Sequence, residues 1–253
     1  LKALSLYNDK NYAQAIPFFN KSLKYTSNKS YEALTYYWKA DIAHQSGDYT
    51  QSKQLLDKFF SLSKNINTAE NIMVSNGTAN YLQGYNYYKE KNYPQAVVNF
   101  SAALNQLKDS KTTSIAQNIY PDALVRLADA YFIQKKYQDA KQNYDVVIKN
   151  NFKAADYALF QNAIIDGLEG KYLDKIAGMN ALVARFPKSS FADEALFQAG
   201  NTQFAISKTN DAKQTFNTLL KNYPKSTRVP DTYNKLGLIA YNQDSYDEAL
   251  SWY

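Results

Sequence analysis

The sequence predicts an all-α solenoid of about fourteen helices, and three observations predict it. One phrase recurs along the chain: Tyr, two residues, Ala, three residues, aromatic. A small residue stands nine positions ahead of each copy. Helix breakers are scarce, with 8 Gly and 6 Pro in 253 residues, while Ala, Leu, Lys, Gln and Tyr are plentiful. Self-similarity at this period signals stacked helical hairpins, each too small to bury its own apolar face.

The copies follow in order. Tyr12, Ala15 and Phe19 form the first, with Ala3 ahead of it. The second, Tyr49, Ser52 and Leu56, is degraded and follows Ala40 and the turn QSGDY. Tyr93, Ala96 and Phe100 follow Gly84 and the turn KEKNY. Tyr137, Ala140 and Tyr144 follow Ala128. The fifth copy, Tyr172, Lys175 and Met179, is again degraded and follows Ala163 and LEGKY. Thr209, Ala212 and Phe216 follow Gly200, and Tyr246, Ala249 and Tyr253 follow Gly237.

Packing explains the phrase. A small residue on the first helix and Ala on the second let the two backbones approach, and the aromatic fills the space to the next pair. Successive lead positions are 37, 44, 44, 35, 37 and 37 residues apart. The two 44-residue spacings predict longer helices or loops around residues 64–80 and 108–120, and an irregular superhelix there. Pro187 and Pro224 stop second helices, because proline cannot continue a helix. Around them one segment is written twice at a distance of 37 residues, as FPKSSFADEALFQAG from Phe186 and YPKSTRVPDTYNKLG from Tyr223.

Composition excludes several function classes. The chain has no cysteine, so it has neither disulfides nor zinc-thiolate sites. It contains no apolar run of about 18 residues that would span a membrane. The formal net charge is +6, yet only Arg126, Arg185 and Arg228 are arginines and the lysines scatter over helix ends and turns. That pattern reads as a solvated lysine surface and not as a nucleic-acid stripe. His44 is the sole histidine, has no second ligand at i+4, and reads as a partly exposed groove residue. Gly167 and Gly170, in DGLEGKY, form an inter-helix turn and not a phosphate cradle. Asp193 and Glu194 read as first-turn acids that favour the helix dipole, as do Asp122 and Asp231, each after a proline. No catalytic residue, metal ligand or cofactor site is expected.

The stretches YYWKADIAHQSGDY, NYLQGYNYYKEKNYPQAVVNF and LVRLADAYFIQKKYQDAKQNY resemble the tetratricopeptide repeat: a small residue in the first helix, then Ala, an aromatic and a closing Pro in the second. The resemblance covers residues 1–253 as a single solenoid of about seven units. It implies a right-handed superhelix with each first helix on the concave side, and a non-catalytic scaffold for a protein or peptide partner. With the first helices in register, the candidate groove residues are Tyr37, Asp41, His44, Tyr81, Tyr85, Tyr88, Asp129, Phe132, Phe160, Phe197, Asn201, Phe204 and Tyr241. For any one of them the competing role is packing between adjacent first helices.

Two subfamilies sharpen the expectation. Chaperone-binding members clamp a C-terminal carboxylate with Lys and Asn four apart on the first helix; the matching positions here are Tyr37 and Asp41, Tyr81 and Tyr85, Val125 and Asp129. Aspartate in place of a donor repels a carboxylate, so no such clamp is expected. Residues 182–253 resemble bacterial cell-envelope members, of the periplasmic Tol-Pal-associated and outer-membrane assembly lipoprotein types. That resemblance implies a periplasmic or outer-membrane-associated adaptor. The chain begins at Leu1 inside a helical pattern and stops at Tyr253 inside a second helix, so segments beyond both ends are expected, including any membrane anchor. The alternative is a cytoplasmic regulatory or peptide-sensing module attached to an output domain.

Overall fold

The computed structural model describes residues 2–63, 74–108 and 113–252. Among them are fourteen α-helices and no strand: α1 (Lys2–Asn8), α2 (Tyr12–Tyr25), α3 (Lys29–Gln45), α4 (Tyr49–Leu62), α5 (Asn76–Lys89), α6 (Tyr93–Leu107), α7 (Thr113–Ile133), α8 (Tyr137–Lys149), α9 (Ala155–Leu168), α10 (Tyr172–Arg185), α11 (Ala192–Ala205), α12 (Thr209–Asn222), α13 (Val229–Asn242) and α14 (Tyr246–Trp252). This is the predicted all-α helical-pair fold. All seven lead positions are the first residues of even-numbered helices.

The turns follow one rule. The residue two before each lead position is left-handed: Lys10, Gly47, Lys91, Lys135, Gly170, Ser207 and Asp244, with φ between 57° and 83°. It closes the preceding helix with a paired reverse bond; Gly47 N donates to His44 O at 3.0 Å and Asp48 N to Ala43 O at 2.9 Å. The next residue opens the second helix. Asn11, Asp48 and Asn92 accept the otherwise unpaired N–H groups of Gln14, Gln51 and Gln95. An aromatic pair spans most of these turns, joining the lead residue to the one five before it: Tyr7–Tyr12, His44–Tyr49, Tyr88–Tyr93, Phe132–Tyr137 and Tyr241–Tyr246 have centroids 5.5–5.9 Å apart.

The core follows the phrase as well. Ala15, Ala96, Ala140 and Ala212 are fully buried, and so are Phe100, Tyr144 and Phe216. In the third hairpin the aromatic lies on the small residue of the first helix: a Cβ on Gly84 would stand 2.7 Å from Phe100 Cδ1.

The chain divides into two compact units, Leu1–Ala140 and Lys141–Tyr253. In unit 1 the hairpins α1/α2, α3/α4 and α5/α6 stack through α2 on α3, α4 on α5 and α6 on α7, and the first helices α3, α5 and α7 adjoin in a row. Leu56, Phe59, Trp38 and Val74 centre its larger core. In unit 2, α10 packs on α11 and α12 on α13, around Met179, Leu182, Phe216, Leu219 and Ile239.

The twice-written segment is an inter-repeat staple. Ser189 Oγ donates to Asp156 at 2.6 Å, and Ser226 Oγ donates to Asp193, 33 residues back in each case. Each serine also accepts the N–H two residues on, from Phe191 and Arg228. Tyr223 donates its hydroxyl to Pro187 O at 2.9 Å, tying the second copy to the first.

The long spacings fall partly on residues 64–73 and 109–112, which lie outside the described residues, as does Tyr253 of the last phrase. What is described of the second spacing includes α7, which at 21 residues exceeds the other first helices. Asp122 is not a helix-start acid: α7 begins at Thr113 and carries Pro121 inside it. Asp231 does sit in a first turn, and so do Asp193 and Glu194.

Candidate functional site

The first helices of unit 1 are joined side by side through polar groups at recurring heights. Tyr7 on α1 donates to Asp41 on α3. On α5, the Asn86 amide nitrogen donates to Ser52 Oγ at 2.9 Å, which leaves its oxygen for His44 Nδ1 at 2.7 Å. With that oxygen as acceptor, the imidazole proton sits on Nδ1. Ser52 donates in turn to Ala40 O at 2.8 Å. The serine that degrades the second phrase is therefore the pivot of a buried network, not a loss of packing.

The densest cluster lies between α5 and α7. Tyr81 and Tyr85 stand one turn apart, with perpendicular rings 5.0 Å between centroids, and both hydroxyls donate to Asp122 Oδ2. Arg126, one turn further along α7, donates from Nε to Tyr85 Oη at 2.9 Å and from a terminal nitrogen to Asp129 at 2.8 Å. Its other terminal nitrogen lies 3.5 Å from Asp122. Burial and the facing Asp122 push the Tyr85 hydroxyl up to about 12, and burial and the Tyr85–Asp122 pair push Tyr81 up further. Burial alone would lower the Arg126 guanidinium, but Tyr85, Asp122 and Asp129 outweigh it and hold the charge. Tyr88 is raised too, by burial and then by Asp129. The network engages the hydroxyls of Tyr81 and Tyr85 while their rings stay half-buried.

The predicted groove residues divide by this geometry. His44, Tyr81, Tyr85, Tyr88 and Asp129 share the face of α3, α5 and α7, and Phe132 closes the α7 turn against Tyr137 at 5.9 Å. Tyr37 is buried against Trp38 and Phe59 and offers no surface; burial pushes its hydroxyl up to about 12. Asp129 is also buried, its carboxylate committed to Arg126, and Val125 is core. In unit 2, Phe160 packs on Phe191, and Phe197 is buried on Phe216 with the Arg228 guanidinium 5.1 Å above its ring. Phe204 is half-buried in the same core, while Tyr241 is exposed beside Tyr246. Asn201 lines a separate pocket.

Asn86, Asp122 and Arg126 were missed by sequence reasoning. For Asp122 and Arg126 a signal was present, since Asp122 and Asp129 lie four before and three after Arg126 on one helical face. A cavity of about 710 Å3 between α1, α2 and α3, lined by Phe18, Tyr25, Leu34 and Trp38 with Lys2 and Lys21 at its edge, contains none of the predicted residues. Among the described residues no three His, Cys, Asp or Glu are grouped to hold a metal, and no helix is long and apolar enough to cross a membrane.

Family models described as tetratricopeptide repeat match residues 33–66, 122–151 and 194–226. The C-terminal part of a TPR repeat-containing protein from Cytophaga hutchinsonii superposes with a TM-score of 0.75 at 14% identity, covering 99% of this chain and 91% of that one. A tetratricopeptide repeat protein from Parabacteroides merdae gives 0.58 at 14% identity, with 99% and 88% covered. YrrB, described as a TPR protein with an unusual peptide-binding site, gives 0.58 at 16% identity, with 89% and 97% covered. Among curated proteins, none matches in sequence.

Proposed function

We propose that this chain, which carries tetratricopeptide repeats and with them a protein-interaction scaffold, is a non-catalytic adaptor that holds a protein or peptide partner on the first-helix face of unit 1. The observation that carries this reading is the clamping of Tyr81 and Tyr85 by Asp122 and Arg126. A tyrosine held in place before binding presents a large amphipathic surface with little ordering cost on association. His44, Tyr88 and Phe132 extend that surface along the same face. The peptide-binding site in YrrB's description supports a peptide occupant. The setting we propose is the bacterial cell envelope, on the strength of the aromatic-Pro-Lys-Ser turns at 186–189 and 223–226. This partner surface is not a nucleic-acid site, since Asp122 and Asp129 surround its one arginine.

The test begins with a partner captured and identified from the native source, then titrated in purified form. Tyr81→Ala, Tyr85→Ala and Tyr88→Ala together should weaken its binding while helical circular dichroism is retained. Unchanged affinity in a folded triple variant overturns the assignment of this face. Fractionation of cells expressing the natural full-length protein tests the envelope setting.

A further inference from the structure

The fifth hairpin, α9/α10, breaks two of the repeat's rules together. Where four of the other second helices bury a fully enclosed alanine, α10 carries Lys175. Where most hairpins place an aromatic against the lead residue, α9 carries Gly167 opposite Tyr172. The two departures fit each other. A Cβ on Gly167 would stand 2.7 Å from Lys175 Cδ and 3.6 Å from its Nζ, so any aromatic at 167 would occupy the path of the lysine stem. The missing ring leaves a pocket of about 340 Å3, lined by Gly167, Tyr172, Lys175, Asn201, Thr202 and Ile206.

Two polar groups meet in this pocket with their capacity unspent. Lys175 Nζ donates to the neutral Gln198 Oε1 at 3.1 Å, and among the described residues no carboxylate forms an ion pair with it. Glu194, the acid that acts on it through space, is taken by Arg228 and by the Gln198 amide. Asn201 Oδ1 is buried and, among the described residues, accepts no hydrogen bond. Desolvation lowers the pKa of Lys175, which marks an ammonium that lacks the counter-charge its burial calls for. Buried donors and acceptors without partners cost free energy that a ligand can recover.

We infer that Lys175 and Asn201 form a carboxylate subsite in unit 2, with Lys175 Nζ receiving the carboxylate and Asn201 Oδ1 accepting the neighbouring amide N–H of a peptide. The inference rests on the reading of the chain as a scaffold for protein or peptide partners. The carboxylate belongs either to an acidic side chain or to a peptide C-terminus; both present it beside an amide N–H.

Three small probes separate these sources. N-acetylglutamate α-amide carries a side-chain carboxylate, N-acetylglutamine carries a terminal one, and N-acetylglutamine amide carries none. In 1H–15N spectra of the full chain, at least one acid should shift the amides of Gly167 and Asn201 while the neutral probe leaves them in place. The stronger acid identifies the source. Lys175→Met keeps the stem without the charge and should weaken acid binding about tenfold, as expected for a lost charged hydrogen bond. Asn201→Ala should weaken it by a smaller factor. On the unmodified protein, added salt should weaken the acids alone, which keeps the test valid if a variant fails to fold. Equal binding of acid and neutral probes, or undiminished acid binding by folded Lys175→Met, overturns the subsite. The probes need no partner, so a negative result here with intact capture through Tyr81 and Tyr85 counts against the subsite alone. Shifts here with failed capture count against the unit 1 face alone.

Discussion

Gly200 on α11 and Phe216 on α12 are packed so closely that a Cβ on the glycine would stand 2.6 Å from Cε1 of the ring. Sixteen residues separate them, as they separate Gly84 from Phe100, which have the same relationship. Phe216 is fully buried and cannot swing aside. Gly200→Ala should therefore lower stability by ~1 kcal/mol, with overpacking of roughly 1–3 kcal/mol outweighing the ~1 kcal/mol that alanine gains in helix propensity. Gly200→Ala combined with Phe216→Leu should be more stable than the sum of the two single changes, because the smaller side chain vacates the contested space. Urea unfolding midpoints decide it; additivity would show that the two residues do not share the crossing.

Ser189 and Ser226 make the same bond in consecutive repeats of unit 2, so the two should respond alike. Ser189→Ala leaves Asp156 Oδ2 without its donor, and Ser226→Ala does the same to Asp193 Oδ2. Each should cost roughly 1–2 kcal/mol, the range for a hydrogen bond to a charged acceptor. Threonine keeps the hydroxyl and should recover part of the loss. Equal stability of the alanine and threonine variants would deny the staple.

Lys91 and Lys135 sit at φ of 62° and 59°, where a side chain is strained and glycine is not. Lys91→Gly and Lys135→Gly should each raise stability by ~0.5 kcal/mol, the relief of strain exceeding the entropy that glycine adds to the unfolded chain. Gly47, at φ 83° in the equivalent turn, should respond in the opposite sense to Gly47→Ala. Thermal unfolding of the three variants checks the sign.

Tyr37 and Tyr85 are each pushed up to about 12, Tyr37 by burial and Tyr85 by burial and then by Asp122. Unfolded tyrosine ionises at about pH 10. Between those values the unfolded state holds fewer protons than the folded one, so stability falls as pH rises. The stabilisation is complete below about pH 10 and is lost as pH climbs through about 12. Phenolate absorbance should rise in two stages, exposed tyrosines first and these with unfolding; a single stage at about pH 10 without unfolding would contradict their burial.

The hairpins were legible because their chemistry is local. A left-handed turn residue, a lead position, an alanine three on and an aromatic seven on lie within one short window, and helix geometry converts those spacings into one packing face. For that reason all seven lead positions coincide with helix starts. The candidate site was legible only in outline. Tyr81, Tyr85 and Tyr88 announce an aromatic face, yet nothing in their spacing names Asp122 and Arg126, 34 to 45 residues later in the chain. Asp122 looked like a helix-start acid because the proline before it reads as a boundary, and only the course of α7 shows that Pro121 is interior.

By itself the sequence determined the repeat, the all-α class and the places where two backbones come within touching distance, since these depend on residue size and periodicity. Tertiary structure alone decided which aromatics are core and which are surface: Tyr37 and Phe197 are enclosed while Tyr241 is open, although all three were placed on the same inward face. It also decided that Gly167 makes room for Lys175 and that Asn201 meets it from the next hairpin. Those relationships depend on how neighbouring hairpins stack, and burial is a property of the neighbour as much as of the residue.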